Sequence, residues 1–184
     1  MENNPHEIAK QIRQDFFAFR NGLLADALKD SGDKHRMIFG LNITQIADIA
    51  KKHEPNEHVA NELWQSAETR ESRLIAPMIY PIDKFDKATA LNWISQIENT
   101  EISDNLCHKL LRHTSYASEL CLELTDGSDM QRYTSMRLAI NLIATGKNID
   151  NNKMHEFAKN ELSCNNSANI SVAKRLIEDL SEIE

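Results

Sequence analysis

Apolar residues recur at helical intervals along almost the whole chain, and no stretch alternates in the manner of a half-buried strand. Ile8, Ile12, Phe16 and Phe19 form one such series, Ile43, Ile46, Ile49 and Ala50 a second, and Val59, Leu63 and Trp64 a third. Segments of that period can bury their apolar stripe only against other helices. Five glycines and four prolines in 184 residues leave few of the tight turns that hairpins need, which argues against an all-β fold. The pattern predicts helices at about 6–19, 22–30, 43–53, 56–66, 69–80, 86–98, 102–114, 116–124, 130–145, 151–162 and 168–182. Local chemistry supports the breaks. Ser31-Gly32-Asp33 offers a turn, Pro55 suits a first helical turn, and Asp126-Gly127-Ser128 reads as a turn before a capping Asp129. The asparagine-rich "ELSCNNSANIS" reads as a loop ahead of the last helix.

On four segments otherwise made for burial, a cation stands directly before leucine: Arg73-Leu74, Lys109-Leu110, Arg137-Leu138 and Arg175-Leu176. Their separations of 36, 28 and 38 residues lie near the ~40-residue period of HEAT-like arrays, where helix pairs bury their faces by stacking. The expected fold is therefore all-α, a right-handed superhelix of stacked antiparallel helix pairs forming one domain over residues 1–184. A nonrepeating helical bundle is the competing architecture.

At about 100° per residue, Arg137 shares a narrow polar arc with Thr134, Asn141 and Thr145. Arg70 and Arg73 share one with Pro77, whose ring should remove the bond to the Arg73 carbonyl, and Asn105, Lys109 and His113 share a third. If second helices line the inside of a superhelix, these arcs face a common groove. Arg70, Arg73, Lys109, His113 and Asn141 are then candidates for tracking the phosphates of a polyanion, since cations spaced along a concave wall suit such a ligand. The competing reading is structural, with each arginine stem packed on apolar surface and its head on carbonyls or carboxylates. Arg175 stands apart, because Asp179 four residues later favours a local ion pair. Asp104 lies at the edge of an apolar stripe, and its plain reading is a first-turn acid on a helix capped by Thr100 or Ser103.

Other chemistries lack their residues. Asp104, Cys107, His108 and His113 crowd together, but Cys107 points away from the face shared by Asp104 and His108, and no HxxxH or HExxH pair exists. Neither a metal nor any other cofactor is indicated. There is no glycine-rich phosphate loop and no GxSxG elbow. Three cysteines, Cys107, Cys121 and Cys164, have no CxxC spacing and read as reduced thiols. No apolar run approaches the ~20 residues of a membrane span, and the opening residues lack a signal-peptide core, so the expected location is cytoplasmic. A formal net charge of −7 argues against nonspecific adhesion to nucleic acid while leaving room for a local basic face.

Four stretches resemble the DNA alkylation repair family of HEAT-like glycosylases, the AlkD-like proteins. They are "IFGLNITQIADIAKK" (38–52), "ELWQSAETRESRLIA" (62–76), "NTEISDNLCHKLL" (99–111) and "TSMRLAINLI" (134–143), and the likeness spans roughly residues 10–145. The resemblance implies a concave surface for duplex DNA and excision of N3- or N7-alkylated purines. It places Asp104 on the catalytic aspartate and Arg137 on the arginine beside it. Thr100 and Thr134 stand where that family has cleft tryptophans, and Tyr133, next to the second, is expected to point elsewhere. Trp64 and Trp93 are expected in the core. The alternative function is a noncatalytic helical-repeat module that binds a protein partner or structured DNA.

Overall fold

The computed structural model describes residues 4–182, and their regular structure is helical apart from one isolated bridge between Met37 and Thr69. In chain order the α-helices are α1 (Pro5–Ala18), α2 (Gly22–Asp30), α3 (Ile43–Ala50), α4 (Glu57–Gln65), α5 (Arg70–Ile79), α6 (Lys87–Ile94), α7 (Thr100–Lys109), α8 (Ala117–Glu123), α9 (Asp129–Ala144), α10 (Asn151–Glu161) and α11 (Ser167–Ser181). Each overlaps a predicted segment, with α7 ending at Lys109 rather than at about 114. None is long and apolar enough to cross a membrane.

Asparagine begins more of these helices than any other residue. The side chains of Asn4, Asn21, Asn42, Asn56, Asn99 and Asn166 each accept a hydrogen bond from a first-turn amide, satisfying a donor that the helix itself leaves open. Three expectations about helix starts change accordingly. Pro55 stands before the Asn56 cap rather than inside the first turn. Asn99, not Thr100 or Ser103, caps α7, which puts Asp104 in the second turn, beyond the strongest reach of the macrodipole. Ser128 caps α9 instead of Asp129, in a capping box with Gln131, whose Oε1 accepts from the Ser128 amide at 2.8 Å.

The helices gather into two compact units, one ending at Lys84 and one beginning at Phe85. In the first, α4 packs on α1 and α5, and α3 also packs on α5. Ile12, Phe16, Leu63, Trp64, Leu74 and Ile75 are completely buried there. Pro77 lies inside α5, where it cannot donate to the Arg73 carbonyl.

A single carboxylate organises the segment between α2 and α3. Glu71 has no exposed surface, and its oxygens accept the amides of Phe39 at 3.1 Å, Gly40 at 3.0 Å and Leu41 at 3.3 Å. Arg70 Nη1 donates to the same carboxylate at 3.0 Å and to the Leu41 carbonyl at 3.0 Å. Gly40 takes a φ of +76°, and a Cβ there would meet the Asn21 carbonyl oxygen at 2.1 Å. Glycine is required at this position by both its dihedral and its close approach.

In the second unit, α8 pairs with α9 and α10 with α11, while α7, α9 and α11 lie side by side in that order. Pairs joined through their second members are the stacking expected of HEAT-like repeats. Trp93 is buried edge-on to Phe85, at 5.2 Å between ring centres, so both tryptophans are core residues as expected.

Candidate nucleic-acid interface

The contact between α7 and α9 carries a polar seam over an apolar floor. Leu106, Cys107, Leu138, Ala139 and Leu142 are fully buried beneath it. Above them, Asp104 on α7 meets Arg137 on α9 in a two-point pair. Arg137 Nε donates to Asp104 Oδ1 at 2.7 Å and its Nη2 donates to Oδ2 at 3.0 Å. Such fork-to-fork contacts fix orientation as well as charge. The pair is reachable from solvent, with side chains 39% and 31% exposed for Asp104 and Arg137.

Tyr133 completes this cluster, contrary to expectation. Its hydroxyl donates to Asp104 Oδ1 at 2.8 Å and accepts from Arg137 Nη2 at 3.3 Å. Helical geometry contains the signal: at about 100° per residue, Tyr133 lies only ~40° from Arg137, whereas Thr134 lies ~60° away on the other side. Burial, assisted by the neighbouring carboxylate, pushes the tyrosine hydroxyl up to about 12, so it remains a donor at neutral pH. Burial also raises the Asp104 carboxyl above its ordinary value, while Arg137 and the Tyr133 hydroxyl act in the opposite direction.

One turn further along, a second rung crosses the same two helices. Asn141 Nδ2 donates to the Arg137 carbonyl at 2.8 Å, which turns its oxygen toward His108. His108 Nδ1 lies 3.2 Å from that oxygen and must carry the proton that it accepts. Beyond the end of α7, a 3-10 turn over Leu111–His113 presents Arg112 and His113. Arg112 Nε donates to His113 Nε2 at 3.2 Å, and the Lys147 ammonium donates to the Arg112 carbonyl.

The predicted arcs are therefore partly replaced. On α7 the seam follows Asp104 and His108 rather than Asn105, Lys109 and His113, because Asn105 is buried and the helix gives way to the 3-10 turn after Lys109. Lys109 is half-buried and His113 exposed at this end. Thr134 does not face the seam. It is fully buried, receives a hydrogen bond from Ser103 at 2.8 Å and donates to the Met130 carbonyl at 2.7 Å. Cys107 also points inward, and burial raises its thiol well above the ordinary range. Among the described residues, no three side chains of His, Cys, Asp or Glu gather as metal ligands.

Arg70 and Arg73 behave differently from the exposed cations expected of them. Both are buried on α5, the centrally packed helix of the first unit. The Arg70 guanidinium holds Glu71 and the Leu41 carbonyl, with Asp33 at 3.8 Å. That of Arg73 stacks over Trp64, 4.5 Å from the ring centre. Each guanidinium thus has a buried partner, Glu71 for Arg70 and Trp64 for Arg73. Arg175, as expected, is engaged locally, with Nη2 2.8 Å from Asp179 Oδ1.

Comparison with known proteins agrees with this architecture. A solved structure described as "a new family of proteins related to the HEAT-like repeat DNA glycosylases with affinity for branched DNA structures" superposes with a TM-score of 0.81 at 16% sequence identity, covering 94% of this chain and 75% of that one. That likeness establishes the fold as an all-α array of HEAT-like repeats. No curated protein matches. The sequence pattern of a family described as "DNA alkylation repair enzyme" matches residues 12–167, which include α3 to α9 with both Glu71 and the Asp104–Arg137 pair. The chain belongs to the DNA alkylation repair enzyme family.

Proposed function

We propose that the protein binds DNA across the α7–α9 seam and that Asp104 there promotes hydrolytic loss of cationic N3- or N7-alkylated purines. The observation that carries this reading is the solvent-reachable Asp104 carboxylate, held at two points by Arg137. An alkylated purine already bears positive charge, so it leaves without a general acid. As the bond from C1′ to the base nitrogen breaks, its electron pair neutralises the base and positive charge moves onto the deoxyribose. A fixed carboxylate stabilises that charge, as carboxylates do in glycoside hydrolysis. Water then adds at C1′ and loses a proton to solvent. Arg137 and Tyr133 hold the carboxylate in place so that it need not reorganise during the reaction.

A second reading is a noncatalytic DNA-binding protein. It is favoured by Thr134, which lies wholly inside the core and offers no aromatic wall to a nucleotide, and by the engagement of both Asp104 oxygens in hydrogen bonds. The structurally similar protein with affinity for branched DNA supports DNA binding under either reading.

Binding is tested by titrating labelled duplex and four-way-junction DNA at several salt concentrations. Affinity should fall steeply with salt, and Lys109→Glu combined with Arg112→Glu should weaken it by about tenfold or more and flatten the salt slope by about two charges. Arg175→Glu, away from the seam, should change it less than about twofold. An unaltered affinity in the double variant would show that DNA uses another surface.

A further inference from the structure

The cationic end of the seam has a property that DNA affinity alone does not demand. Ion pairs of the second unit employ Lys87, Arg132, Arg137, Lys153 and Arg175. Lys109, Arg112 and Lys147 pair with no carboxylate among the described residues, although the chain carries a formal net charge of −7. Like charges gathered without a counter-charge repel one another, and an anion would relieve that repulsion.

The hydrogen bonds also determine where the two imidazoles take up protons. His108 Nδ1 already carries its proton, donated to Asn141, so protonation of His108 occurs at Nε2. His113 Nε2 uses its lone pair to accept from Arg112. Protonating that nitrogen ends the bond and places an imidazolium against a guanidinium. The groups around His108 are Asn141 of α9, with Lys109 and Arg112 of its own segment and Asp104 one turn back. Around His113 are Arg112, Lys147 and His108. Burial first, and these cations next, hold both imidazoles below their ordinary value, so both are neutral at physiological pH in the free protein.

We propose that His108, Arg112, His113 and Lys147 form a seat for a backbone phosphate of the strand whose sugar meets Asp104, and that both imidazoles gain protons when the phosphate arrives. The strand assignment rests on the DNA-binding reading above. The seat itself rests on the cluster. A phosphate supplies acceptors for His108 Nε2 and for Arg112 Nε once His113 releases it, turning a repulsive group of cations into a charge-assisted one. Protonation and binding are then linked, and affinity rises as pH falls.

The test combines duplex binding at constant ionic strength with NMR titration of the imidazole protons, using a short duplex and, separately, inorganic tripolyphosphate. The wild type should bind duplex about tenfold more tightly at pH ~5.5 than at ~7.5, and both imidazole midpoints should rise in the complex. His108→Gln combined with His113→Gln should remove that gain. Asp104→Asn should keep it, which excludes the carboxyl as its source. Duplex binding without movement of the imidazole midpoints would overturn the seat and leave the DNA reading standing. Midpoints that rise with tripolyphosphate while duplex fails to bind would support the seat and overturn the DNA reading. If neither ligand moves them, the seat is wrong.

Discussion

Glu71→Ala is expected to lower the free energy of unfolding by about 3–5 kcal/mol, the cost of removing one partner from a buried charged pair. The carboxylate is fully buried and receives three backbone amides as well as the Arg70 guanidinium. Its loss leaves those amides without their acceptor and withdraws the counter-charge nearest to Arg70 inside the unit. The loop from Phe39 to Leu41 then loses the group that joins it to α5, and the close approach at Gly40 loses its support. Glu71→Gln keeps a single acceptor oxygen and should fall between the two. Urea unfolding followed by far-ultraviolet circular dichroism measures this directly, and a loss below about 1 kcal/mol would mean that the loop is held by other contacts.

The other large effect concerns chemistry rather than stability. Asp104→Asn is expected to slow base release by about 10²- to 10³-fold, or ~2.7–4 kcal/mol, the usual consequence of removing one preorganised electrostatic group. Arg137 then faces the developing sugar cation without its neutralising partner, which adds to the barrier. DNA affinity should hold or increase, because the variant removes an anion from the surface proposed to meet a polyanion. Stability should change little, since the pair is partly solvated. Under the proposed mechanism the reaction requires ionised Asp104, whose carboxyl is raised above 3.8 chiefly by burial. The rate per bound complex should therefore fall as pH drops through a midpoint above that value. DNA affinity moves in the opposite direction over the histidine range, so the two dependences separate in a single-turnover experiment.

Helix positions were legible because the apolar period is long and sustained, and because Asn, Pro and Gly mark most of the breaks. The starts were misread where several polar residues stood together: Asn99, Thr100 and Ser103 can all cap a helix, and only the backbone selects Asn99. The fates of Arg70 and Arg73 were not legible. Periodicity places them on a polar arc, yet their partners Leu41 and Trp64 come from other elements, and a guanidinium over an indole or against a buried carboxylate is as compatible with that arc as an exposed one. The resemblance brought Asp104 and Arg137 together correctly because it compared positions across two helices. Tyr133 was expected to point elsewhere, although its i to i+4 relation to Arg137 favours a place in the cluster. The rung from His108 to Asn141 depends on which residues face one another across α7 and α9, information that neither helix contains alone.

The proposed mechanism rests on action of the Asp104–Arg137 pair on an alkylated nucleotide. Its most direct test is single-turnover release of free base from duplex DNA carrying N7-methylguanine or N3-methyladenine, with wild type, Asp104→Asn and a protein-free control in parallel. Release by the wild type above the spontaneous rate, and loss of that excess in Asp104→Asn despite retained binding, is the expected result. A wild-type rate equal to the spontaneous one on DNA shown to be bound would contradict the catalytic account and leave the noncatalytic DNA-binding protein.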